Sequence, residues 1–497
     1  MNLKDLLEGI NVKEIFGNTN IDIKGLSYDS RKVSTGDIFF ALNGAHTNGI
    51  EFADQAISKG AICIISNTKI YNCKCTNIVV DDILDSMAKI SAKFYDYPDK
   101  KLTIIGVTGT NGKTSITYMT ESILKKLNID IGVIGTISYR YANVVIDAPN
   151  TTPQSLDLYK MMAEMVKLKI KYLIMEVSSH SLALGRVNGI EFDIAVFTNL
   201  TQDHLDFHKS MDNYFNAKKM LFYSLSNNLK NNKKFAIINS DDFYGKQLLE
   251  DSNITANKIS YSTSSKNSSL FCLAKNISLS SDGSFFDLES FFGNAQINVH
   301  LIGLHNIYNI LAVFCICASI GIELKQIVEN LKNIISAPGR LERIKNSTDF
   351  SVIVDYAHTD DALKNVLSAI KNLNPAKIIT VFGCGGNRDK TKRPKMAKVA
   401  CNMSDFVFIT SDNPREEDPV EITKDIEVGA KEINKKNYKI IIDREEAIKQ
   451  AICMAKKKDV VLIAGKGHEN YQIIGRTKIH FDDREIVSNI LNKKQVI

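Results

Sequence analysis

Leu102-Thr-Ile-Ile-Gly-Val-Thr-Gly-Thr-Asn-Gly-Lys-Thr114 decides the fold of this chain. Its first half is a continuous apolar run that reads as a buried strand. A glycine-rich turn follows, and then Ile116, Ile123 and Leu127 fall on one face of a helix. Strand, glycine turn and helix in that order are the setting of a phosphate loop. The turn Gly109-Thr110-Asn111-Gly112 lets backbone N–H groups approach phosphate oxygens, and the helix N-terminus adds positive potential. Lys113 is placed to reach the terminal phosphates of a nucleotide and Thr114 to ligate Mg2+. The spacing departs from G-x-x-x-x-G-K-S/T, because Val107 stands at the first glycine position. Gly106 and Gly109 are expected to supply the flexibility instead. A phosphate loop alone leaves kinases, motors, switches and ligases open.

Outward from this loop the chain divides into three blocks, as its 497 residues suggest at roughly 150 per domain. Residues 1–98 hold short strand-like runs (Asp37–Leu42, Ala61–Ile65, Asn77–Val80) between helical patterns and read as a small N-terminal α/β domain. Tyr97-Pro98-Asp99 reads as the linker that closes it. Residues 99–337 add Tyr172–Met175, Ile194–Phe197 and Phe235–Ile238 to the phosphate-loop strand. These continuous apolar runs predict a parallel sheet buried on both faces. The Ser/Asn-rich stretch 250–300 reads as an antiparallel insertion. Residues 338–497, after Ala337-Pro-Gly339, alternate strands with helices as in a doubly wound, Rossmann-like domain. The expected fold class is therefore α/β in three domains.

Composition narrows the function. Hydrophobic residues are 44% and charged residues 24%, which is globular and excludes a disordered chain. The net charge of +6 lacks any basic stripe with interleaved aromatics, so nucleic acid is not an expected partner and local anion pockets are. Nine cysteines, scattered and without a C-x-x-C pair, are expected to be reduced, which points to the cytoplasm. Met1–Gly9 has no apolar segment of a signal peptide, and the run Ile310–Ile322 is too short to span a membrane, so it reads as a buried helix.

Glu176-Val-Ser-Ser-His180 and Thr198-Asn-Leu-Thr-Gln-Asp203-His204-Leu-Asp206-Phe-His208 both follow predicted strands. Ligands of open α/β sheets bind at that edge, so Glu176, Asp203, His204 and His208 are expected to converge on the phosphate loop. A carboxylate and an imidazole there suggest a second divalent cation. His180 and His208 are expected to be structural.

These motifs, with Tyr214-Phe-Asn-Ala-Lys218, Gly303-Leu-His-Asn306, Pro338-Gly-Arg340-Leu-Glu-Arg343 and Asp355-Tyr-Ala-His358-Thr, resemble the Mur ligases, ATP-dependent amide-forming enzymes of peptidoglycan assembly. The order agrees along nearly the whole chain. Within the family the match is to members that build the tripeptide. Asp29-Ser30-Arg31 resembles their UDP-binding segment, and Asn150-Thr151-Thr152-Pro153 resembles their substrate loop.

The resemblance implies an acyl-phosphate route, with ATP, Mg2+, UDP-MurNAc-L-Ala-D-Glu and an amino acid as ligands, in a protein expected to be monomeric. It implies that Lys113, Glu176, His204 and Lys218 are catalytic and that Lys218 is carbamylated by CO2. Metal ligation would then fall to Thr114, Glu176, His204 and the Lys218 carbamate. Read from the residues alone, Lys218 is a solvated helix lysine beside Lys219; only the motif singles it out. ATP contacts are implied for Gly109 to Thr114, Asn306, Arg340 and Asp355. Contacts to the UDP-sugar dipeptide are implied for Ser30, Asn150, Thr151, Thr152, Ser178 and Arg186. Two positions depart from the family pattern: Leu184 stands where relatives carry Gln, and Asp360 where Pro is common.

The third substrate is read from Asp412-Asn413-Pro414-Arg415, with Arg388, Gly465 and Glu469 implied beside it. An arginine fork matches a carboxylate bidentately. Meso-diaminopimelate carries a distal carboxylate that L-lysine lacks, so diaminopimelate is the expected substrate and L-lysine the alternative. Other superfamily members, such as folylpolyglutamate synthetases, and a P-loop regulatory ATPase without ligase activity are the competing readings.

Overall fold

The computed structural model describes residues 1–44, 48–226, 230, 232–266, 269–280, 283–334, 336–344, 346–433 and 436–494. Three large β-sheets, each with its own apolar core, and a two-stranded hairpin of Tyr471–Ile474 and Thr477–His480 make up the sheets of the described residues. The N-terminal sheet has five strands, in the order Val12–Phe16, Thr76–Val80, Cys63–Ser66, Asp37–Phe40 and Gly25–Ser27. Its three inner strands are buried along their whole length, which explains their unbroken apolar runs.

The central sheet has eleven strands. Thr103–Thr108 lies in its middle, flanked in parallel by Tyr172–Glu176 (Ile174 opposite Ile105) and Ile194–Phe197 (Val196 opposite Val107). Two apolar clusters cover the two faces. One includes the helix Leu304–Ser319, whose side chains from Ile310 to Cys317 are all buried. The predicted insertion at 250–300 is instead an extension of this sheet. Asn257–Ser262 joins in parallel, and Leu270–Ser280, Gly283–Ser290 and Gly293–Val299 continue as an antiparallel meander.

The C-terminal sheet has six strands, in the order Glu342–Ile344, Ser351–Asp355, Val460–Ala464, Ile378–Phe382, Phe406–Ile409 and Tyr438–Ile440. Only the first pairs antiparallel. None of the nine cysteines is in a disulfide. Among the described residues no helix is long and apolar enough to cross a membrane.

One sequence expectation about the phosphate loop is corrected, and the linker takes a definite form. Tyr97-Pro98-Asp99 connects the N-terminal helix Ile83–Phe94 to the strand Thr103–Thr108 as a short 3-10 turn, with Tyr97 at φ +47° and Pro98 and Asp99 buried. Gly106 lends no flexibility to the phosphate loop. It lies inside the strand, and a Cβ there would come within 2.9 Å of the Phe192 ring, so its role is close packing.

Candidate functional site

The loop after Thr103–Thr108 needs its glycines for measurable reasons. Gly109 takes φ +147°, and a Cβ there would sit 1.8 Å from Thr198 Oγ1; Gly112 takes φ +93° against Asn309. The neighbouring strand end shapes the loop. Thr198 Oγ1 donates to Asn111 O at 2.6 Å, and Asn199 Oδ1 accepts from Asn111 N at 2.9 Å. Lys113 opens the helix Lys113–Lys126 and folds back, donating to Gly109 O (2.8 Å) and Thr110 O (2.9 Å). Burial lowers its pKa, Arg340 adds to that, and Glu176 opposes it.

Glu176, 1% exposed, ends its strand as predicted and lies against the loop helix. Its carboxylate accepts from Thr114 Oγ1 (3.0 Å), Thr136 N (2.9 Å) and Thr136 Oγ1 (3.0 Å). Two hard oxygen donors in contact suit Mg2+. Thr136 was missed from sequence, although it follows the strand Ile131–Ile134 and obeys the same strand-end rule.

Lys218 and Lys219 part company in the fold. Lys219 is paired with Asp251 at 2.7 Å. Lys218 is 1% exposed, donates to Gly109 O at 3.0 Å and lies 4.6 Å over the Tyr214 ring. Burial drives its pKa well below that of an ordinary lysine, and Lys113 adds to the effect. His204 takes the left-handed conformation (φ +54°), which is strained for a non-glycine residue. Burial pushes its imidazole down to about 4, against the pull of Asp203. Among the described residues no group of three or more His, Cys, Asp or Glu is placed to hold a metal ion. Thr114 and Glu176 are in direct contact, whereas His204 and Lys218 join them in no ready coordination shell. His180 and His208 are packing residues as expected: His208 Nε2 bonds Ser179 Oγ at 2.9 Å and stacks on Tyr214.

The substrate-loop residues gather beside Glu176. Thr152 Oγ1 donates to Glu176 O (2.8 Å) and accepts from Ser178 N (3.2 Å); Thr151 meets Thr136 at 3.1 Å. Arg186 Nη1 donates to Thr152 O at 3.0 Å, and its buried Nε has no partner. A buried guanidinium N–H left free is suited to an incoming anion. Asn150 is exposed at the loop's edge, its carbonyl accepting from Tyr139. Ser30 is buried in the N-terminal domain, donating to Gln55 at 2.6 Å, and does not reach this cluster. The domains are joined instead by Tyr28 donating to Asp157 at 2.5 Å.

A cavity of about 510 Å3 between the central and C-terminal domains is lined by Asn111, Gly112, Asn306, Arg340 and Asp355, five of the residues expected around ATP. Asp355 commits both oxygens to backbone N–H groups, of Leu341 and Ala357, at 2.7 Å each. Asp361, missed from sequence, reaches across. It accepts from Asn111 Nδ2 (3.2 Å) and Thr201 Oγ1 (3.3 Å), and burial raises its pKa. Its first-turn position on the helix Asp360–Lys371 was the available signal. That helix starts at Asp360 with a Thr359 cap, so the absent proline is harmless.

A second cluster of charged side chains lies at the strand ends of the C-terminal sheet. Asp412 is buried, and a Cβ on Gly465 would lie 2.7 Å from its Oδ2. Asn413 Nδ2 donates to Glu469 at 2.8 Å, and buried Lys466 donates to Glu469 at 3.1 Å. Burial, with Asp412 nearby, raises the Glu469 pKa. Pro414 is buried in the turn, and Arg415 follows at φ +52°, pinned by its N–H to Ile473 O (3.0 Å) and its carbonyl from Gly475 N (2.7 Å). Its guanidinium donates to Gly386 O at 2.9 Å. Burial and then the repulsion of Arg388 lower its pKa. Neither Arg388 nor Arg415 has a carboxylate partner among the described residues.

One sheet edge shaped for a polyphosphate and another lined by both charge signs, on adjoining domains, describe a ligase that activates one substrate with ATP and joins it to a second. The sequence matches three family models: "Mur ligase family, catalytic domain" at residues 22–95, "Mur ligase middle domain" at 107–317 and "Mur ligase, glutamate ligase domain" at 339–467. The UDP-N-acetylmuramoyl-L-alanyl-D-glutamate--2,6-diaminopimelate ligase 1 of Clostridium acetobutylicum is 45% identical over 99% of this chain and 100% of its own. The ligase of that name from Fusobacterium nucleatum is 46% identical, over 99% of each chain. A solved structure of such a ligase superposes with a TM-score of 0.69 at 32% identity, covering 100% of this chain and 99% of its own. The MurF ligase of Thermotoga maritima in complex with ADP shares the fold, with a TM-score of 0.65 at 18% identity over 95% of this chain and 97% of its own. The chain belongs to the Mur ligase family and is an ATP-dependent amide ligase.

Proposed function

We propose that the enzyme joins meso-2,6-diaminopimelate to the D-glutamyl carboxylate of UDP-MurNAc-L-Ala-D-Glu, with ATP converted to ADP and phosphate, as a step of peptidoglycan synthesis. The observation that carries the choice of amino acid is the pair Arg388 and Arg415, without a carboxylate of their own, beside Asp412 and Glu469. A zwitterion needs an anion site and a cation site at close range. Diaminopimelate has a distal carboxylate and ammonium to fill both, whereas L-lysine has only the ammonium.

The route begins with the D-glutamyl carboxylate attacking the γ-phosphorus of ATP. An oxygen–phosphorus bond forms, ADP leaves, and the carboxylate becomes an acyl phosphate. The free amine of diaminopimelate then attacks the acyl carbon, phosphate leaves, and the amine loses a proton. Each step brings anions together, so the cations matter most. Lys113, once turned from Gly109 O and Thr110 O, holds the terminal phosphates. Arg186, through its free Nε, holds the substrate carboxylate over Thr152 and Ser178. Bound at Thr114 and Glu176, Mg2+ supplies charge neutralisation on the phosphates.

Lys218 is proposed to carry a carbamate. Its amine, driven toward neutrality by burial, has the free pair that attack on CO2 requires, and loss of a proton leaves an anion. That anion would add an oxygen ligand facing His204 and relieve the repulsion from Lys113. The remaining roles are taken from the family resemblance: Asn306, Arg340 and Asp355, which line the cavity between the central and C-terminal domains, for the nucleotide, and Asn150, Thr151 and, from the N-terminal domain, Ser30 for the sugar dipeptide. Residues 1–98, 99–337 and 338–497 are assigned to the UDP-sugar peptide, ATP and amino acid respectively.

The test is phosphate release by the purified protein with UDP-MurNAc-L-Ala-D-Glu and a panel of diaminopimelate, L-lysine and ornithine. Turnover should need both the dipeptide and diaminopimelate. Equal turnover with L-lysine would overturn the specificity, and hydrolysis of ATP without either would favour a regulatory ATPase.

A further inference from the structure

A cavity of about 390 Å3 lies at the other end of the central parallel sheet, between the segments that enter Thr103–Thr108 and Ile194–Phe197 and the N-terminal domain. Its volume is that of a small-molecule site. Leu182, Val187, Ile190 and Phe192 give it an apolar wall. Three polar side chains also line it, Asp99, Tyr159 and Glu191, which are 2%, 0% and 4% exposed. Each leaves one atom without a hydrogen-bond partner: Asp99 Oδ1, Tyr159 OH and Glu191 Oε2. Unpartnered buried polar atoms are costly, and three on one cavity are unusual.

The fold accounts for the other oxygens and not for these. Asp99 Oδ2 accepts from Glu191 N at 3.2 Å, while Glu191 Oε1 accepts from Lys230 N and from Lys234 Nζ at 2.9 Å each. Asp99 also makes no direct ion pair among the described residues: Lys230 and Lys234 pair with Asp193 (2.7 and 3.0 Å), and Lys234 with Glu191. The lysines at the rim are engaged elsewhere: Lys93 with Glu8 (3.0 Å), Lys89 with Asp85 (2.8 Å) and Lys100 over the Tyr97 ring (4.3 Å). Burial pushes the Asp99 carboxyl up, against the pull of the Glu191 N–H and of the more distant Lys230 and Lys100 charges.

We infer that this cavity is a binding site for a small molecule with an apolar body and a protonated amine or amidinium head, the head donating to Asp99 Oδ1, Glu191 Oε2 and the Tyr159 oxygen. The site is distinct from the amino-acid pocket, which lies on the C-terminal sheet. Its occupant would contact the N-terminal and central domains together.

Calorimetric titration of the full-length protein with benzamidine, and with benzamide as its uncharged isostere, tests this. Benzamidine is expected to bind one per chain and about tenfold more tightly than benzamide. Asp99→Asn, which keeps an acceptor for Glu191 N–H but turns a donor toward the head, should remove that advantage. Tyr159→Phe deletes one unpartnered oxygen and serves as the second variant should Asp99→Asn fail to fold; it should weaken benzamidine severalfold. Equal binding of the two probes, benzamidine affinity unchanged in the folded variants, or soaked crystals with only ordered water at the two carboxylates would overturn the inference.

Discussion

The two sheet edges that face each other across the domain boundary handle charge in opposite ways. At the phosphate loop the inward groups are cations: half-buried Lys113 and buried Lys218 lie folded onto the loop's carbonyls, both with pKa values lowered by desolvation. At the proposed amino-acid site the inward groups are anions, Asp412 buried and Glu469 half-buried. Asp412 accepts from Asn413 N, and Glu469 from Asn413 Nδ2 and Lys466, while among the described residues neither Arg388 nor Arg415 has a carboxylate partner. The first arrangement holds cations ready for a charge that arrives with the nucleotide and grows in the transition state. Under the proposed function, the second would present both signs at fixed separation and so measure a zwitterion.

The largest break in this contrast should come from Lys113→Ala. Phosphate release should fall about 10³-fold or more, while diaminopimelate binding measured by calorimetry stays within about twofold. Arg444→Met attacks the other side. Arg444 is paired with Asp483 at 2.7 Å, both fully buried, and it donates to Ser411 O and Ala464 O, the residues before Asp412 and Gly465. Breaking such a pair strands Asp483 and should cost about 3–5 kcal/mol in chemical denaturation. Lys218→Ala should lower kcat about 10²-fold, and Lys219→Ala by less than about twofold. A carbamate signal in carbon NMR under labelled CO2, present in the wild type and absent from Lys218→Ala, would sharpen the point. Arg415→Ala should lower kcat/KM for diaminopimelate about 10–100-fold and leave KM for ATP unchanged.

The smallest effect is on stability against pH. Burial depresses His305 and His358 to about 4 and His468 to about 3, below the ordinary value of 6.5. Between these limits the unfolded chain binds more protons than the folded one. The stabilisation is therefore whole above pH 6.5 and lost as the pH falls toward 4. Scanning calorimetry should show Tm dropping between pH 7 and 5.

Much of the site could be read from the chain because strand ends are local features. Gly109 to Thr114, Glu176 and Asp412 to Arg415 all follow apolar runs that became strands within a residue or two of their expected bounds. Thr136 and Asp361 escaped because a lone Thr or Asp after an element carries no pattern of its own. Gly106 was misread because a glycine's neighbour, here Phe192, is remote in sequence.

The sequence by itself determined the three α/β units, the phosphate loop and the motif order that places the chain among the Mur ligases, since each depends on periodicity or spacing along the chain. Tertiary structure alone decided which of two adjacent lysines is buried. It alone joined the strands Asn257–Ser262, Leu270–Ser280, Gly283–Ser290 and Gly293–Val299 to the central sheet as an extension, and it left one polar atom each of Asp99, Tyr159 and Glu191 facing one cavity without a hydrogen bond. Burial, counter-ions and unpartnered atoms come from contacts between distant segments. The local pattern of a sequence says which groups face inward, and only their packing says what they meet there.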